Sequence, residues 1–297
     1  MSTKIRFGTA GNPESFYEKG GKSSLEMPKW LSDMGLSAYE YQCGRGVKIS
    51  SESAKALRKE AKKHGVSLSV HSPYYINISS DDDAKIESSM NYIMQSARAA
   101  ANMGAKRIVL HMGSAGKMTR RAAMEISKRT VLRALSEMDN EGLGDISLCP
   151  ETMGKINRMG TLDEVLELCR LDERLIPTID FGHLNSRGLG NLVTVEDFRE
   201  VTARIKKVLG GYRAKNFHTH FSKIEFTSAG EKRHLTFAAT EYGPEFGPFA
   251  KVLVEDGLTP VIICESAGTQ AEDAAEMKRI YEEALKNADN GDKRTES

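Results

Sequence analysis

The most restrictive feature of the chain is a regular alternation of two patterns along its 297 residues. Short β-rich runs alternate with segments of helical periodicity, such as 86–104 and 127–139. Near-continuous apolar strands separated by amphipathic helices predict a parallel sheet that is covered on both faces. The chain has eight such runs, the strand number of a (β/α)₈ barrel: 4–10, 38–43, 67–72, 107–113, 145–152, 175–183, 214–221 and 260–266.

The sequence therefore predicts a single-domain (β/α)₈ TIM barrel over residues 1–287, followed by a disordered polar tail at 288–297. The alternative is an open doubly wound sheet, but no GxGxxG motif follows the first run. Glycines 65, 104 and 257 are expected to end helices. The connections 9–23 and 222–247 are too long for plain loops, which indicates a functional role.

Composition and charge limit the partners and the cellular compartment that can be expected for the protein. Lys and Arg number 42 against 41 Asp and Glu, which argues against an indiscriminate polycation but allows one basic face. The four cysteines have no CxxC spacing and fit a reduced cytosolic protein. No apolar run approaches the roughly 20 residues of a membrane span. We expect a cytoplasmic monomer that does not associate with membranes.

Polar side chains stand where the β-rich runs end. In a (β/α)₈ barrel the C-terminal ends of the strands meet at one face, where active sites lie. Imidazole and carboxylate together are typical ligands of Zn²⁺ or Mn²⁺. Nine candidates are too many for one ion, so two or three ions sharing a bridging carboxylate are expected. They are His71, His111, Glu151, Asp180, His183, His218, His220, His234 and Glu265.

These residue types also allow a structural or a nucleophilic role. A single histidine at a strand end is more often a hydrogen-bonded structural residue than a metal ligand. Ser72, Ser114 and Ser266 lie near the same face, but none is in a GxSxG nucleophile motif. A cluster of several ions suits in-line displacement at phosphorus, since one ion can activate water while another stabilises the leaving oxygen. The pattern therefore favours phosphodiester hydrolysis.

The motifs VHSPYYINI, LHMGS, PETMG, IDFGH, FHTHFSK, EKRHL and ICES follow one another at a spacing that resembles the endonuclease IV family. These zinc-dependent apurinic/apyrimidinic endonucleases have a xylose-isomerase-like barrel, and the resemblance spans nearly the whole chain. It implies hydrolysis of the phosphodiester 5′ to abasic sites in base excision repair. The expected partner is double-stranded DNA that contains abasic sites, and the expected cofactor is Zn²⁺, with Mn²⁺ as an alternative.

The resemblance also assigns roles to individual residues. Glu151 and Glu265 would be the catalytic carboxylates that orient the nucleophile, and Glu151 would bridge two ions. The ligands that it implies are His71, His111 and Glu151 for the first ion, Glu151, Asp180, His218 and Glu265 for the second, and His183 and His234 for a third.

Two departures from the family pattern affect this ligand set. Lys232 stands where the family has a third-site aspartate, and a protonated lysine does not ligate. We therefore expect two well-occupied ions and a weak or empty third position, with Lys232 or Arg233 directed at the substrate phosphate. A shift of one residue would let Glu231 supply the missing carboxylate. The sequence FHTHF offers two histidines, and the spacing to the following lysine favours His218 over His220.

Contacts to DNA are expected from loops at the same face. Tyr74 matches a tyrosine of the family's DNA-binding loop, while Arg45, Lys232 and Arg233 would contact phosphates without reading base sequence.

Two alternatives to the nuclease remain. One is a single-metal sugar isomerase or epimerase of the same superfamily, which would leave His71, His111 and His234 without a role. The other is an inactive relative that binds DNA.

Overall fold

Eight parallel strands form a barrel in the computed structural model, which describes residues 4–295 of the chain and side chains as far as residue 290. The sheet order is β5-β4-β3-β2-β1-β10-β7-β6. Backbone hydrogen bonds from Ile176 to Leu148 and from Thr152 to Thr178 close the barrel between β5 and β6. The barrel strands are β1 (Arg6–Ala10), β2 (Ala38–Gln42), β3 (Ser67–His71), β4 (Arg107–Leu110), β5 (Ser147–Pro150), β6 (Thr178–Asp180), β7 (His218–Phe221) and β10 (Val261–Cys264). The predicted TIM barrel is confirmed, and each predicted run contains a barrel strand.

Helices surround the barrel, and their ends follow the sequence signals. In α3, Ser50 Oγ accepts the N–H of Ser53 at the start, and Gly65 ends the helix at a φ of 68° that favours glycine. The helices are α1 (Glu14–Glu18), α2 (Met27–Asp33), α3 (Ser51–His64), α4 (Asp83–Met103), α5 (Arg120–Asn140), α6 (Leu162–Cys169), α7 (Phe181–Arg187), α8 (Val195–Leu209), α9 (Gly211–Lys215), α10 (Phe246–Glu255) and α11 (Gln270–Thr295). The segment expected to be a disordered tail belongs to α11 as far as Thr295, and its last two residues lie outside the described residues.

Alternation along the strands separates the main apolar layer outside the barrel from an interior that holds ionisable groups and a small apolar cluster of Val109, Cys149 and Ile176. On β7, Phe221 packs into the main apolar core, whereas His218 and His220 face the other side of the strand. On β2, Tyr39 packs into that core and Glu40 faces inward, next to Ser69 of β3. The buried apolar core therefore lies between the strands and the helices, and the barrel axis holds ionisable groups.

The long connection predicted at 222–247 contains an antiparallel hairpin of β8 (Lys223–Thr227) and β9 (Gly230–Leu235). Glu231 N–H donates to the Gly154 carbonyl, and a bridge between Lys155 and Gly230 fixes the hairpin beside the loop after β5. The hairpin also contacts α7. This insertion thus extends the C-terminal face of the barrel.

Two further features concern the cysteines and the helices. All four cysteines are buried free thiols. Among residues 4–295, none of the helices has the length and apolar character needed to cross a membrane.

Candidate metal centre

Glu151 is the hub of the polar cluster at the C-terminal face. It follows β5 and is completely buried. Its Oε2 lies 3.3 Å from His71 Nε2 and 3.1 Å from His111 Nε2, whereas its Oε1 lies 2.9 Å from His220 Nδ1. The two oxygens of one carboxylate therefore face two different sets of ligands, the arrangement that a bridging ligand requires.

The first group consists of His71, His111 and Glu151, whose ligand atoms lie within 4.8 Å of one another. His71 Nδ1 is 2.9 Å from the Ser72 carbonyl, which can only accept a hydrogen bond, so this nitrogen carries the proton. The lone pair of the neutral ring is then on Nε2, the atom that faces Glu151. The backbone of the loop after β3 thus fixes the tautomer that a metal ion needs.

The central group consists of Glu151, Asp180, His220 and Glu265. Asp180 ends β6 and caps α7, because its Oδ1 accepts the His183 N–H at 2.6 Å. Its Oδ2 is buried and accepts no hydrogen bond among the described residues, since the nearby His183 Nδ1, at 3.4 Å, donates to the Thr152 carbonyl. A buried carboxylate oxygen without a partner is costly, and a bound cation removes that cost. This oxygen and the imidazole and carboxylate donors around it fit a divalent ion.

The outer group consists of His183, Glu231 and His234. His183 Nε2 lies 3.5 Å from Glu231 Oε2, and His234 Nε2 lies 4.0 Å from Glu231 Oε1. His183 Nδ1 donates to the Thr152 carbonyl at 2.9 Å, which leaves Nε2 free to ligate. Glu231 therefore supplies the carboxylate of the outer group. Lys232 stands at the motif position where this carboxylate was expected.

Lys232 and Arg233, which the sequence predicts to be directed at a substrate phosphate, both pair with a carboxylate of β8 in this structure. Lys232 Nζ lies 2.5 Å and Arg233 Nε 2.6 Å from the carboxylate of Glu225 on β8. The pairing of β8 with β9 shifts between Glu225 and Phe226, which leaves one extra residue on β9. This bulge lets Glu231 and His234, three residues apart, face the same side.

His218 is not where the ligand assignment required it. His220 pairs in register with Asp180 and lies 3.4 Å from Glu265, so His220 is the β7 member of the central group. His218 lies two residues nearer the N-terminal end of the strand, about 6–7 Å lower in the barrel. The two side chains share a face, and their heights in the barrel decide which of them reaches the ion.

Glu40 is not among the site residues predicted from the sequence. This glutamate is completely buried in β2, with its oxygens 2.9 Å from His220 Nε2 and 2.9 Å from His218 Nε2. A glutamate in the middle of an aromatic strand, AYEYQ, was the available signal.

Charges in the cluster shift the pKa values of its members in opposite directions. Burial alone would raise the pKa of Glu151, but His220 and the hydrogen bond from His111 hold it well below its usual range. Burial also opposes the charged form of His71, yet the hydrogen bond to Glu151 raises the pKa of His71 to about 9. For His218, burial outweighs Glu40 and lowers the pKa to about 4. Since a metal needs neutral imidazole, binding at His71 must release a proton.

The cluster opens into a cavity of about 220 Å³. Its lining includes the histidines of the first and outer groups, Glu231, Glu265 and Tyr74. Tyr74 is 47% exposed at the edge, and its Oη accepts a hydrogen bond from Arg45 Nε at 3.0 Å. The predicted pair of Tyr74 and Arg45 therefore lies beside the candidate metal centre.

Comparison with known proteins identifies relatives of this architecture. Residues 28–287 match the family model described as the xylose isomerase-like TIM barrel. An uncharacterized protein of Methanocaldococcus jannaschii is 30% identical over 277 residues, which cover 93% of this chain and 97% of that protein. A probable endonuclease 4 of Bacillus subtilis is 28% identical over 206 residues, which cover 67% of this chain and 66% of that protein.

Solved structures with similar folds include both nucleases and epimerases. Endonuclease IV from Thermus thermophilus superposes with a TM-score of 0.65 at 18% identity, covering 95% of this chain and 99% of that one. A D-tagatose 3-epimerase-like protein gives a TM-score of 0.71 at 18% identity, covering 97% and 99%. At these identities the likeness shows the barrel alone, so the choice between the two activities depends on the site.

Proposed function

We propose that this chain, which belongs to the xylose isomerase-like TIM barrel family over residues 28–287, is a metal-dependent endonuclease. Its proposed reaction is hydrolysis of the phosphodiester 5′ to abasic sites in double-stranded DNA, in base excision repair. The proposed setting is the cytoplasm, and the proposed form is a monomer. The probable endonuclease 4 relatives support this activity.

The observation that carries the proposal is the position of Glu151 between two ligand groups. A centre with a shared carboxylate suits phosphodiester hydrolysis, because neighbouring ions can act on the attacking and the leaving oxygen. A single-metal epimerase would need only the central group. The first and outer groups, which contain His71, His111, His183 and His234, would then have no task.

We propose Zn²⁺ as the cofactor, with Mn²⁺ as an alternative, since imidazole and carboxylate suit both ions. The first group would hold one ion and the central group a second, with Glu151 shared. Because Glu231 completes the outer group, we now propose a third occupied position there. Divalent ions at such a centre activate water and stabilise the charge that develops on phosphate oxygens.

The protein's own groups would orient the reactants. Glu265 faces the cavity with its side chain 16% exposed, so it can accept a hydrogen bond from the attacking water. That water adds to phosphorus while the bond from phosphorus to the 3′ oxygen breaks, and this oxygen leaves as a hydroxyl. Arg45 and Tyr74 would hold the DNA backbone and the lesion at the cavity edge.

The test compares substrates on one preparation of the protein. Metal-stripped and zinc-reloaded protein is incubated with a duplex containing one abasic analogue, with the undamaged duplex, and with a panel of ketoses. We expect metal-dependent cleavage 5′ to the lesion that leaves a 3′-hydroxyl. Ketose epimerisation without cleavage would favour the epimerase, and tight binding without cleavage would favour an inactive relative. Either result would overturn the proposal.

A further inference from the structure

Glu40 has no role in the proposed reaction, although it is completely buried within the barrel. A buried carboxylate is costly unless hydrogen bonds and opposite charges compensate it. Ser69 Oγ donates to Glu40 Oε2 at 2.8 Å, and His218 Nε2 lies 2.9 Å from the same oxygen. Gln42 Nε2 donates to Glu40 Oε1 at 3.3 Å. Three side chains thus hold this carboxylate in one orientation.

The remaining contact of Glu40 is with His220, a member of the central group. His220 Nδ1 faces Glu151 and Glu265 at 2.9 and 3.4 Å, which makes Nδ1 the nitrogen available to an ion. The opposite nitrogen, Nε2, is buried, has no hydrogen-bond partner among the described residues and lies 2.9 Å from Glu40 Oε1. Glu40 is therefore the acceptor within reach of the proton that His220 keeps when Nδ1 ligates.

We propose that Glu40 is a positioning residue that fixes the tautomer and the ring orientation of His220, with Ser69 and His218 holding Glu40 in place. A ligating histidine commonly donates its other N–H to a carboxylate, which orients the ring and makes the ligating nitrogen more basic. This inference rests on the metal centre of the proposed function, but it concerns metal binding and does not require DNA as the substrate.

The arrangement also explains why β7 carries two inward histidines. The same carboxylate lies 2.9 Å from His220 Nε2 above it and makes a hydrogen bond with His218 Nε2 below it. His218 Nε2 must carry a proton to donate to Glu40, so its buried Nδ1, which has no hydrogen-bond partner among the described residues, carries no proton. His218 thus belongs to the support of the central group and is not a ligand of it.

The experiment measures metal binding without DNA. Zn²⁺ is titrated by chelator competition into stripped wild type, Glu40→Gln and Ser69→Ala, and Co²⁺ absorption reports the ligand geometry. Glu40→Gln preserves size but removes the charge, and we expect a 10- to 100-fold weaker affinity at one position with the others unchanged. Ser69→Ala keeps the carboxylate, so its loss should be smaller.

Wild-type affinity at every position in a folded Glu40→Gln protein would overturn the proposal. Permanent loss of one ion at saturating Zn²⁺ would also overturn it, because Glu40 would then be a ligand. If this variant does not fold, ¹⁵N NMR of zinc-loaded wild type decides, since the proposal requires the His220 proton on Nε2. Failure to cleave abasic DNA would refute the proposed nuclease activity. It would not affect the conclusion on Glu40, because metal binding is measured without DNA.

Discussion

The central and outer groups contain similar donors but are held by different parts of the fold. Glu151, Asp180 and His220 of the central group are fully buried on or beside barrel strands, so sheet hydrogen bonds set their positions. Two of the three residues of the outer group, Glu231 and His234, come from the β8–β9 hairpin, with side chains 15% and 26% exposed. The side chains of the central group are thus positioned by the barrel strands, whereas two of the three in the outer group are positioned by one insertion, the β8–β9 hairpin.

The largest effect is expected for Glu151→Gln, since both the first and the central groups use this carboxylate. We expect the cleavage rate to fall on the order of 10³-fold, as when a group that stabilises transition-state charge is removed, and the metal content to fall with it. Mass spectrometry of bound zinc and cleavage of an abasic duplex check both. Glu167→Gln, a change at a half-exposed residue, is the control. Normal turnover in Glu151→Gln would refute the bridging role.

Glu231→Gln should lose only the outer ion, with a drop in rate on the order of 10²-fold. Lys232→Ala, at the adjacent position, is the matched control. It should keep every ion, because Lys232 pairs with Glu225. Anomalous scattering at the zinc edge counts the peaks in crystals of each variant. If Lys232→Ala lost the outer peak and Glu231→Gln kept it, our assignment of the ligands on β9 would be reversed.

The stability of the metal-free protein should depend on pH through His71. Its folded pKa of about 9 lies above the unfolded value of about 6.5, so the protonated form stabilises the fold. This contribution, on the order of 3 kcal/mol, is complete below pH 6.5 and is lost as the pH rises through 9. Thermal denaturation from pH 6 to 10 measures it. His71→Gln should flatten the alkaline slope, and an unchanged slope in that variant would exclude this cause.

The smallest effect concerns DNA affinity. Binding to an abasic duplex should weaken steeply with salt, because phosphate contacts release counterions. Arg45→Gln, beside the first group, should reduce the slope of log affinity against log salt by about 1. Lys232→Gln on the outer hairpin should reduce it less, since Glu225 already neutralises this charge. Fluorescence anisotropy at several salt concentrations tests both variants. Equal slopes would contradict the expectation that Arg45 contributes more than Lys232 to the salt dependence.

Much of the site followed from the sequence because a parallel barrel brings every strand end to one face. His71, His111, Glu151, Asp180 and Glu265 could be placed together from their positions after apolar runs alone. The period of two along a strand likewise showed that His218 and His220 share a side. These inferences needed only the count of the strands and their direction.

Tertiary structure decided what depends on register between strands. The pairing of β6 with β7 sets the height of His220 beside Asp180, and no local pattern distinguishes it from His218. The bulge in β9 turns Glu231 inward and sends Lys232 to Glu225. Glu40 is 178 residues from one of its partners, His218. Sequence periodicity specifies which side of its own strand a residue occupies, whereas its neighbours across the sheet are set by hydrogen bonds between strands distant in the chain.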